Sequence, residues 1–486
     1  MIRKTDPDII ESFRRDHSNL LGSVPVYTAF PENADDVQSL LLEHHAANIP
    51  TTIAGAGTGI TGARVPCDGA VMAMDKMNAI RSLDVSGRRM TVQPGVTINE
   101  IMNYAGQHGL TYPPAPTERT AYIGGNVATN ASGAYSFRYG PTRTWVQALH
   151  LYLADGSACT IRRGEILADV NGFLDFTADG NTYHVPIPTY TMPNCKHTAG
   201  YYARPHMDLI DLFIGSEGTL GVITEIEIAL IPAFHNRCGG IIFFDRECDA
   251  LSCAYAVRTK TLSPTPDRID ALLLEFWEQH ALDFLRKRYA HIPDTAAAAV
   301  YFEQNNGSDA VIDAWANLIE HHNAHSSHCW FATSDRELET LREFRHALPE
   351  LVNEAISKRG YIKLGTDFAV PDTALADIIA ASHRIPRSTG VEYHFHGHLS
   401  ENNMHVNFIP KNDDENKRAQ KGYIELAREA LRLGGTIAAE HGIGKIKRHL
   451  LYEMFGEKGI HEMLTIKRML DPKLLLGRGT LFESYE

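Results

Sequence analysis

A glycine-rich loop caught between two strands constrains this chain more than any other feature. Pro50-Thr51-Thr52-Ile53 reads as a strand that delivers the chain to Ala54-Gly55-Ala56-Gly57-Thr58-Gly59-Ile60-Thr61-Gly62. The glycines at 55, 57, 59 and 62 remove side chains and let backbone N–H groups converge, which suits a phosphate or pyrophosphate. Gly57-x4-Gly62 begins like a Walker A loop, but Ala63 and Arg64 follow where the phosphate lysine should stand. Gly57-x-Gly59-x-x-Gly62 also fits a Rossmann fingerprint, which requires a helix directly afterwards. Pro66 arrives within four residues instead, and Ala70-Val71-Met72-Ala73-Met74 reads as another strand. The loop therefore implies a dinucleotide cradle outside the Rossmann and P-loop folds.

Two further stretches reinforce it. A helix over 34–47 is expected, with Asn33 as N-cap and Val37, Leu40 and Leu41 on one face. Thr97-Ile98-Asn99-Glu100 is a capping box opening a second helix that ends near Gly109. Beyond it comes Ile123-Gly124-Gly125-Asn126-Val127-Ala128-Thr129-Asn130-Ala131-Ser132-Gly133, uncharged and rich in small hydrogen-bonding residues. It suits a backbone laid flat against a large polar ring system. Phe213-Ile214-Gly215-Ser216-Glu217-Gly218-Thr219-Leu220-Gly221-Val222-Ile223-Thr224 is another glycine-punctuated strand entry.

The second half carries a different signal. Apolar residues flank Ser400-Glu401-Asn402-Asn403, which suggests a hairpin looping through those four. Leu399 would then pair with Met404, and His398 would lie opposite His405, with Cβ atoms about 4.5–5.5 Å apart. Two imidazoles at that spacing can grip one divalent ion. Glu440 would add a carboxylate, and His441 would stand beside the metal as a free base. The chain holds 24 histidines, and alternating His394, His396 and His398 are more simply solvated or hydrogen-bonded strand residues. Cys248-x4-Cys253 is no iron–sulfur ligand run.

Bulk properties exclude several classes. At 486 residues, 44% hydrophobic and 22% charged, the chain is an ordinary globular protein of two or three units. No apolar run approaches a membrane span, and the N-terminus shows no signal core. Seven scattered cysteines favour reduced thiols in the cytoplasm. A net charge of -13 argues against nucleic acid.

With these motifs in order along it, the chain resembles the FAD-linked D-2-hydroxyacid dehydrogenases: D-lactate dehydrogenase, D-2-hydroxyglutarate dehydrogenase and the flavin-bearing subunit of glycolate oxidase. The likeness runs from about Val24 to Phe482. The resemblance implies an α+β protein with an FAD-binding domain of the vanillyl-alcohol oxidase and p-cresol methylhydroxylase type over 1–232. Over 233–486 it implies a substrate and metal domain of antiparallel sheet and helices, whose last part, from about 436, packs back on the FAD domain. FAD would be held by Gly55, Ala56, Gly57, Thr58, Gly59, Ile60, Thr61 and Gly62 at its pyrophosphate. Pro116, Gly124, Gly125, Thr129, Ser132, Gly133, Glu217, Gly218, Val222 and Ile223 would line the rest. A divalent metal, zinc or manganese, would be bound by His398, His405 and Glu440, with His441 as base.

Relatives read Gly-Asp-Gly-Asn where this chain has Ser400-Glu401-Asn402-Asn403, so loop shape and the contacts behind the ligands are open. Arg342 in Leu341-Arg342-Glu343 and Lys363 in Lys363-Leu364-Gly365-Thr366-Asp367 are the substrate-carboxylate candidates, and Asn407 a hydrogen-bonding one. The implied reaction is oxidation of a D-lactate-like 2-hydroxy acid to the 2-oxo acid. The alternatives are glycolate, D-2-hydroxyglutarate, or a sugar or alditol in a metal-free oxidase of the same fold. With no cysteine cluster in this chain, electrons would pass to a separate quinone, cytochrome, electron-transfer flavoprotein or iron–sulfur protein. A cytoplasmic homo-oligomer, attached peripherally to the inner face of the membrane or free, fits the same reading.

Overall fold

The computed structural model describes residues 1–114, 116–262, 269–325, 327–361 and 364–483, Ser357 by its backbone alone. The first half grows from the expected local signals. Asn33 accepts the Asp36 N–H at 2.9 Å and opens helix Ala34–Ala47, whose Val37, Leu40 and Leu41 are fully buried. Left-handed Asn48 stops it, and strands Thr51–Ala54 and Ala70–Ala73 follow in parallel. They belong to a four-stranded sheet with Thr28–Phe30 and Ile2–Lys4. The glycine loop thus leaves the carboxyl end of Thr51–Ala54 with no helix after it, as Pro66 dictates.

Helix Ile98–Gly106 opens on the expected capping box, with both hydrogen bonds present. A five-stranded antiparallel sheet runs Ile80–Asp84, Arg89–Val92, Val222–Ala229, Val146–Tyr152, Ala158–Arg162. One expectation needs correcting. The 123–133 stretch is not a flat strip: Ile123–Thr129 is a helix ended by left-handed Asn130. Its glycines lie on one turn, and Gly124 is required because a Cβ there would meet Pro94 Cβ at 2.6 Å.

The second half is built on an eight-stranded sheet. Its order is Trp330–Ala332, Cys238–Phe244, Ala298–Gln304, Ala271–Glu278, Tyr393–His398, Asn403–Phe408, with Leu364–Gly365 and Phe368–Ala369 both on the last. All these pairings are antiparallel. Strand Cys238–Phe244 shows why both faces are covered. Ile241 and Phe243 join one core with Phe344 and Leu348 of helix Asp335–Ser357. Ile242 and Phe244 join the other with Ala254 and Val257 of helix Glu247–Leu262. Each such buried phenylalanine contributes about 1.5–3 kcal/mol.

The hairpin forms, but in another register. Gly397 pairs with Met404, His396 with His405 and His398 with Asn403, so the loop is 399–402 rather than 400–403. Two long-range contacts set this. Asn403 Nδ2 donates to Phe368 O at 3.1 Å and Asn402 Nδ2 to Val370 O at 3.1 Å. Asn402 takes the left-handed conformation (φ 53°) at the turn. His398 and His405 are therefore diagonal neighbours on one face, with ring centroids 5.5 Å apart.

The C-terminal segment returns to the first half. Thr51 N–H donates to Leu475 O at 2.8 Å and Gly477 N–H to Thr51 O at 3.0 Å. Buried Lys467 donates to Thr219 O at 2.6 Å and is neutralised by Asp471. No helix among the described residues is long and apolar enough to cross a membrane.

Candidate active site

The hairpin brings His398 and His405 to Glu440, which follows the buried run 436–439. Glu440 Oε1 lies 3.3 Å from His398 Nε2, 3.3 Å from His405 Nε2 and 3.3 Å from His441 Nε2. The other ring nitrogens are committed: His398 Nδ1 meets Glu275 Oε1 at 3.0 Å, and His405 Nδ1 meets Thr366 O at 3.0 Å.

Those partners fix the chemistry of the cluster. A backbone carbonyl only accepts, so His405 must place its proton on Nδ1. Burial holds His405 below its usual value, hence neutral. Its Nε2 lone pair then faces a carboxylate oxygen, two acceptors aimed at each other. Burial would lower His398 as well, but Glu275 and Glu440 outweigh it and raise the ring to about 9. Burial raises Glu440, while Lys196 and His398 more than offset it and hold the carboxylate well below its ordinary range. Opposed acceptors call for a cation between them. Ligand atoms about 2.0–2.1 Å from a zinc ion at tetrahedral corners stand about 3.3–3.4 Å apart. The donor set His398, His405, Glu440 fits a divalent ion, and carboxylate or carbonyl partners behind both histidines are the usual support for such ligands.

His441 is the exposed member, its side chain 30% accessible. Its Nδ1 faces Asp367 Oδ2 at 3.4 Å, and its backbone N–H donates to the same oxygen at 2.9 Å. Asp367 is fully buried and also pairs with Lys447 Nζ at 2.9 Å. Burial works against its charge, but His441 and Lys447 keep the carboxylate low. An imidazole oriented at Nδ1 by a buried carboxylate, on the cavity wall with Nε2 beside Glu440 Oε1, is placed to take a proton.

The cavity in front has a volume of about 920 Å³, and Trp277, Arg345, Asn407 and Tyr423 share its wall with the histidines. Asn407 lies on it, and its amide also donates to His405 O at 3.2 Å. Arg342 does not. Its guanidinium is bound to buried Glu303 at 2.6 and 2.8 Å, so the expected carboxylate contact is already taken inside the protein. One helical turn on, Arg345 reaches the cavity, held by Glu275 at 2.7 Å. Glu275 therefore orients both an imidazole and an arginine. Asp367, Arg345 and Glu275 were not singled out from sequence. The spacing of Arg342 and Arg345 on one helix was the available signal for the second. Lys363 lies outside the described residues.

The glycine loop meets this centre through residues 441–446. Thr61 Oγ1 donates to His441 O at 3.2 Å, and Lys445 N–H to Thr61 O at 2.8 Å. Gly444 (φ 53°) is obligatory there, since a Cβ would stand 2.1 Å from Thr61 O. Other glycines answer no need of the protein itself: a Cβ at Gly59 or Gly125 would meet nothing within 4 Å. Unpartnered buried atoms surround the same space. Asp75 Oδ2, Arg64 Nε and Asn126 Nδ2 have no hydrogen-bond partner. Tyr122 links them, its hydroxyl 3.3 Å from Asp75 Oδ1 and its ring 4.0 Å from a Cβ built on Gly55. Open glycine faces with orphaned polar groups fit a large polar cofactor.

Among the other expected contacts, Thr129 Oγ1 bonds Gly125 O at 3.0 Å, Gly133 N–H donates to Ser136 Oγ at 2.7 Å, and Pro116 is buried. Two side chains do not face open space. Val222 packs in a core with Leu40, Met72 and Leu476. Glu217 accepts the N–H groups of Ile443 at 2.8 Å and Gly444 at 2.7 Å.

Residues 25–162 match the family of FAD binding domains, and residues 244–481 the family of FAD linked oxidases, C-terminal domain. The chain is 28% identical to glycolate oxidase subunit GlcD of Bacillus subtilis, covering 95% of this chain and 89% of that one. It is 29% identical to a D-lactate dehydrogenase of Archaeoglobus fulgidus (92% and 89% covered). It is 27% identical to a D-2-hydroxyglutarate dehydrogenase of Xanthomonas citri (99% and 94%). In fold it is similar to p-cresol methylhydroxylase, with a TM-score of 0.70 over 98% of this chain and 93% of that one at 15% identity.

Proposed function

This chain belongs to the FAD-linked oxidoreductases of the D-lactate, glycolate and D-2-hydroxyglutarate dehydrogenase type, and we propose that it oxidises a D-lactate-like 2-hydroxy acid with the help of a divalent metal. The observation that carries this reading is the Nε2 lone pair of His405 facing Glu440 Oε1, beside a cavity that also holds an arginine. FAD, when bound along the glycine loop and the 123–133 segment, supplies the acceptor for the hydride released at the α-carbon. Zinc or manganese held by His398, His405 and Glu440 would supply a Lewis acid that lowers the pKa of the substrate hydroxyl.

The protein's own groups do the rest. Arg345 meets the substrate carboxylate from the cavity wall, its direction set by Glu275, which holds its Nε and Nη2. Asn407 donates to a substrate oxygen from the same wall. His441 takes the hydroxyl proton at Nε2, and Asp367 stabilises the imidazolium that results. Electrons then pass to an acceptor outside this chain.

Anaerobic mixing with D-lactate, glycolate, D-2-hydroxyglutarate and longer D-hydroxy acids tests the reading. D-lactate is expected to bleach the flavin band fastest, and elemental analysis to find one divalent ion per chain. Bleaching by a sugar or alditol alone, from metal-free protein, would reject it in favour of an oxidase of the same fold.

A further inference from the structure

Lys196 comes from the 187–208 segment of the first half, yet it reaches the metal-ligand set of the second. Its Nζ stands 2.8 Å from Glu440 Oε2 and 3.0 Å from Glu401 Oε2, and its side chain is 5% exposed. The backbone on either side is pinned. Cys195 Sγ donates to Ala369 O at 3.5 Å, and Thr198 N–H donates to Ala438 O at 2.9 Å, both on elements of the second half. The ammonium therefore approaches from one fixed direction.

We propose that Lys196 is a positioning residue that keeps Glu440 a one-oxygen ligand, by occupying Oε2 and leaving only Oε1 for the ion. The inference rests on the metal reading above. Its physical basis is that the two oxygens of Glu440 already have separate duties: Oε2 on the lysine, Oε1 at 3.3 Å from three imidazole nitrogens. A substrate that chelates through hydroxyl and carboxylate needs two open positions on the ion. A glutamate free to swing both oxygens inward would fill one of them. Lys196 also stands between two partly buried carboxylates, Glu401 and Glu440, which would repel each other if it were removed. Glu401 takes the lysine's second hydrogen bond, which gives a role to the longer carboxylate in Ser400-Glu401-Asn402-Asn403.

The test is a titration of metal-depleted, FAD-loaded protein with Co²⁺, followed by its d–d absorption beyond the flavin band. Wild type is expected to take up one equivalent. Lys196→Met, with flavin content unchanged, should bind about 10–100-fold more weakly, the usual effect of losing a group that orients a metal ligand. Its d–d bands should weaken as the freed Oε2 joins the ion and raises the coordination number. Lys196→Arg, which keeps a cation between the two glutamates, should recover most of the affinity and the wild-type spectrum. A Lys196→Met protein with wild-type affinity and spectrum overturns this inference and leaves the proposed function standing. Wild-type flavoprotein that takes up no Co²⁺ overturns the metal reading, and this inference with it. Should Lys196→Met fail to load flavin, Lys196→Gln is titrated instead, and the same outcomes decide.

Discussion

At the scale of single residues, the centre is organised by which nitrogen of each histidine is already spoken for. Glu275 and Thr366 engage the Nδ1 atoms of His398 and His405, so both Nε2 atoms turn to Glu440. His441 differs, because Asp367 holds its Nδ1 while the ring stays open to the cavity. His441→Ala should lower kcat by about 10²–10⁴ with flavin and metal retained, since a positioned base typically contributes that much. Steady-state rates beside flavin and metal content check this, and turnover near wild type would remove His441 from the reaction. The two arginines give a paired prediction. Arg345→Met should raise KM for the hydroxy acid at least about tenfold, the loss of about 1.4 kcal/mol or more of charge-assisted binding, with stability changed less. Arg342→Met should leave KM in place but destabilise the fold by about 3–5 kcal/mol, because Glu303 is left charged and buried with no cation, held only by the Tyr135 and Tyr301 hydroxyls. Urea denaturation and substrate saturation curves on both variants separate the roles. The opposite pattern would restore the assignment that sequence alone favours. Only the long-range partners decide between these arginines. The residue types were legible in Leu-Arg-Glu-Phe-Arg, whereas Glu303 and Glu275, each more than thirty residues away, were not.

At the scale of elements, the hairpin shows what a local pattern can and cannot say. Two strands with histidines on one face were legible from the alternation of 394, 396 and 398 and from the polar residues between 399 and 404. The register was not, because Ser400, Asn402 and Asn403 look like solvent residues but are buried. The two asparagine amides satisfy carbonyls at 368 and 370, and Arg258 bonds both Asn402 and Asp372. Such contacts stand outside any window of neighbours. The same limit explains the 123–133 segment, whose small residues give no helical period to read and whose Gly124 answers to Pro94, a neighbour thirty residues back. Gly397 makes the hairpin testable as a unit. A Cβ there would lie 2.3 Å from Asn403 O and 3.0 Å from Met404 Cα, both backbone atoms that cannot yield cheaply. Gly397→Ala should cost about 1–3 kcal/mol, as overpacking does. It should also move His398 relative to His405, and so lower metal content while flavin stays bound. Thermal unfolding together with elemental analysis reads both effects. Unchanged metal content in a destabilised protein would show that the hairpin's geometry tolerates the shift.

At the scale of the whole molecule, the glycine loop and His441, the proposed base, are joined because residues 441–446 bond back to Thr61. Glu217 is the pivot. It sits in the turn before strand Val222–Ala229, is buried, and accepts the N–H groups of Ile443 and Gly444, with Gly442 packed against its carboxylate. The glycine-rich 215–221 run points to a cofactor contact for Glu217, and a partner more than two hundred residues on cannot be read from that run. Burial pushes the Glu217 carboxyl up to about 7, against the lowering effect of those two N–H groups and of Lys445 and Lys447. The direction of the pH effect follows. Between its unfolded value, about 4.5, and about 7, the folded protein binds more protons at this position than the unfolded chain. Stability from this group is therefore full below about pH 4.5 and falls as pH rises through 7, by about 3 kcal/mol in total. Glu217→Gln keeps the shape and cannot ionise, so its stability should drop less than that of wild type between pH 5 and pH 8. Unfolding free energies of the flavin-loaded proteins at the two pH values give the comparison. If both proteins lose the same amount, the Glu217 carboxylate is already charged at pH 5 and the 441–446 segment is held by a fixed anion. A smaller loss in the variant means instead that the joint between cradle and base loosens as Glu217 ionises, and flavin affinity should then weaken over the same interval in wild type alone.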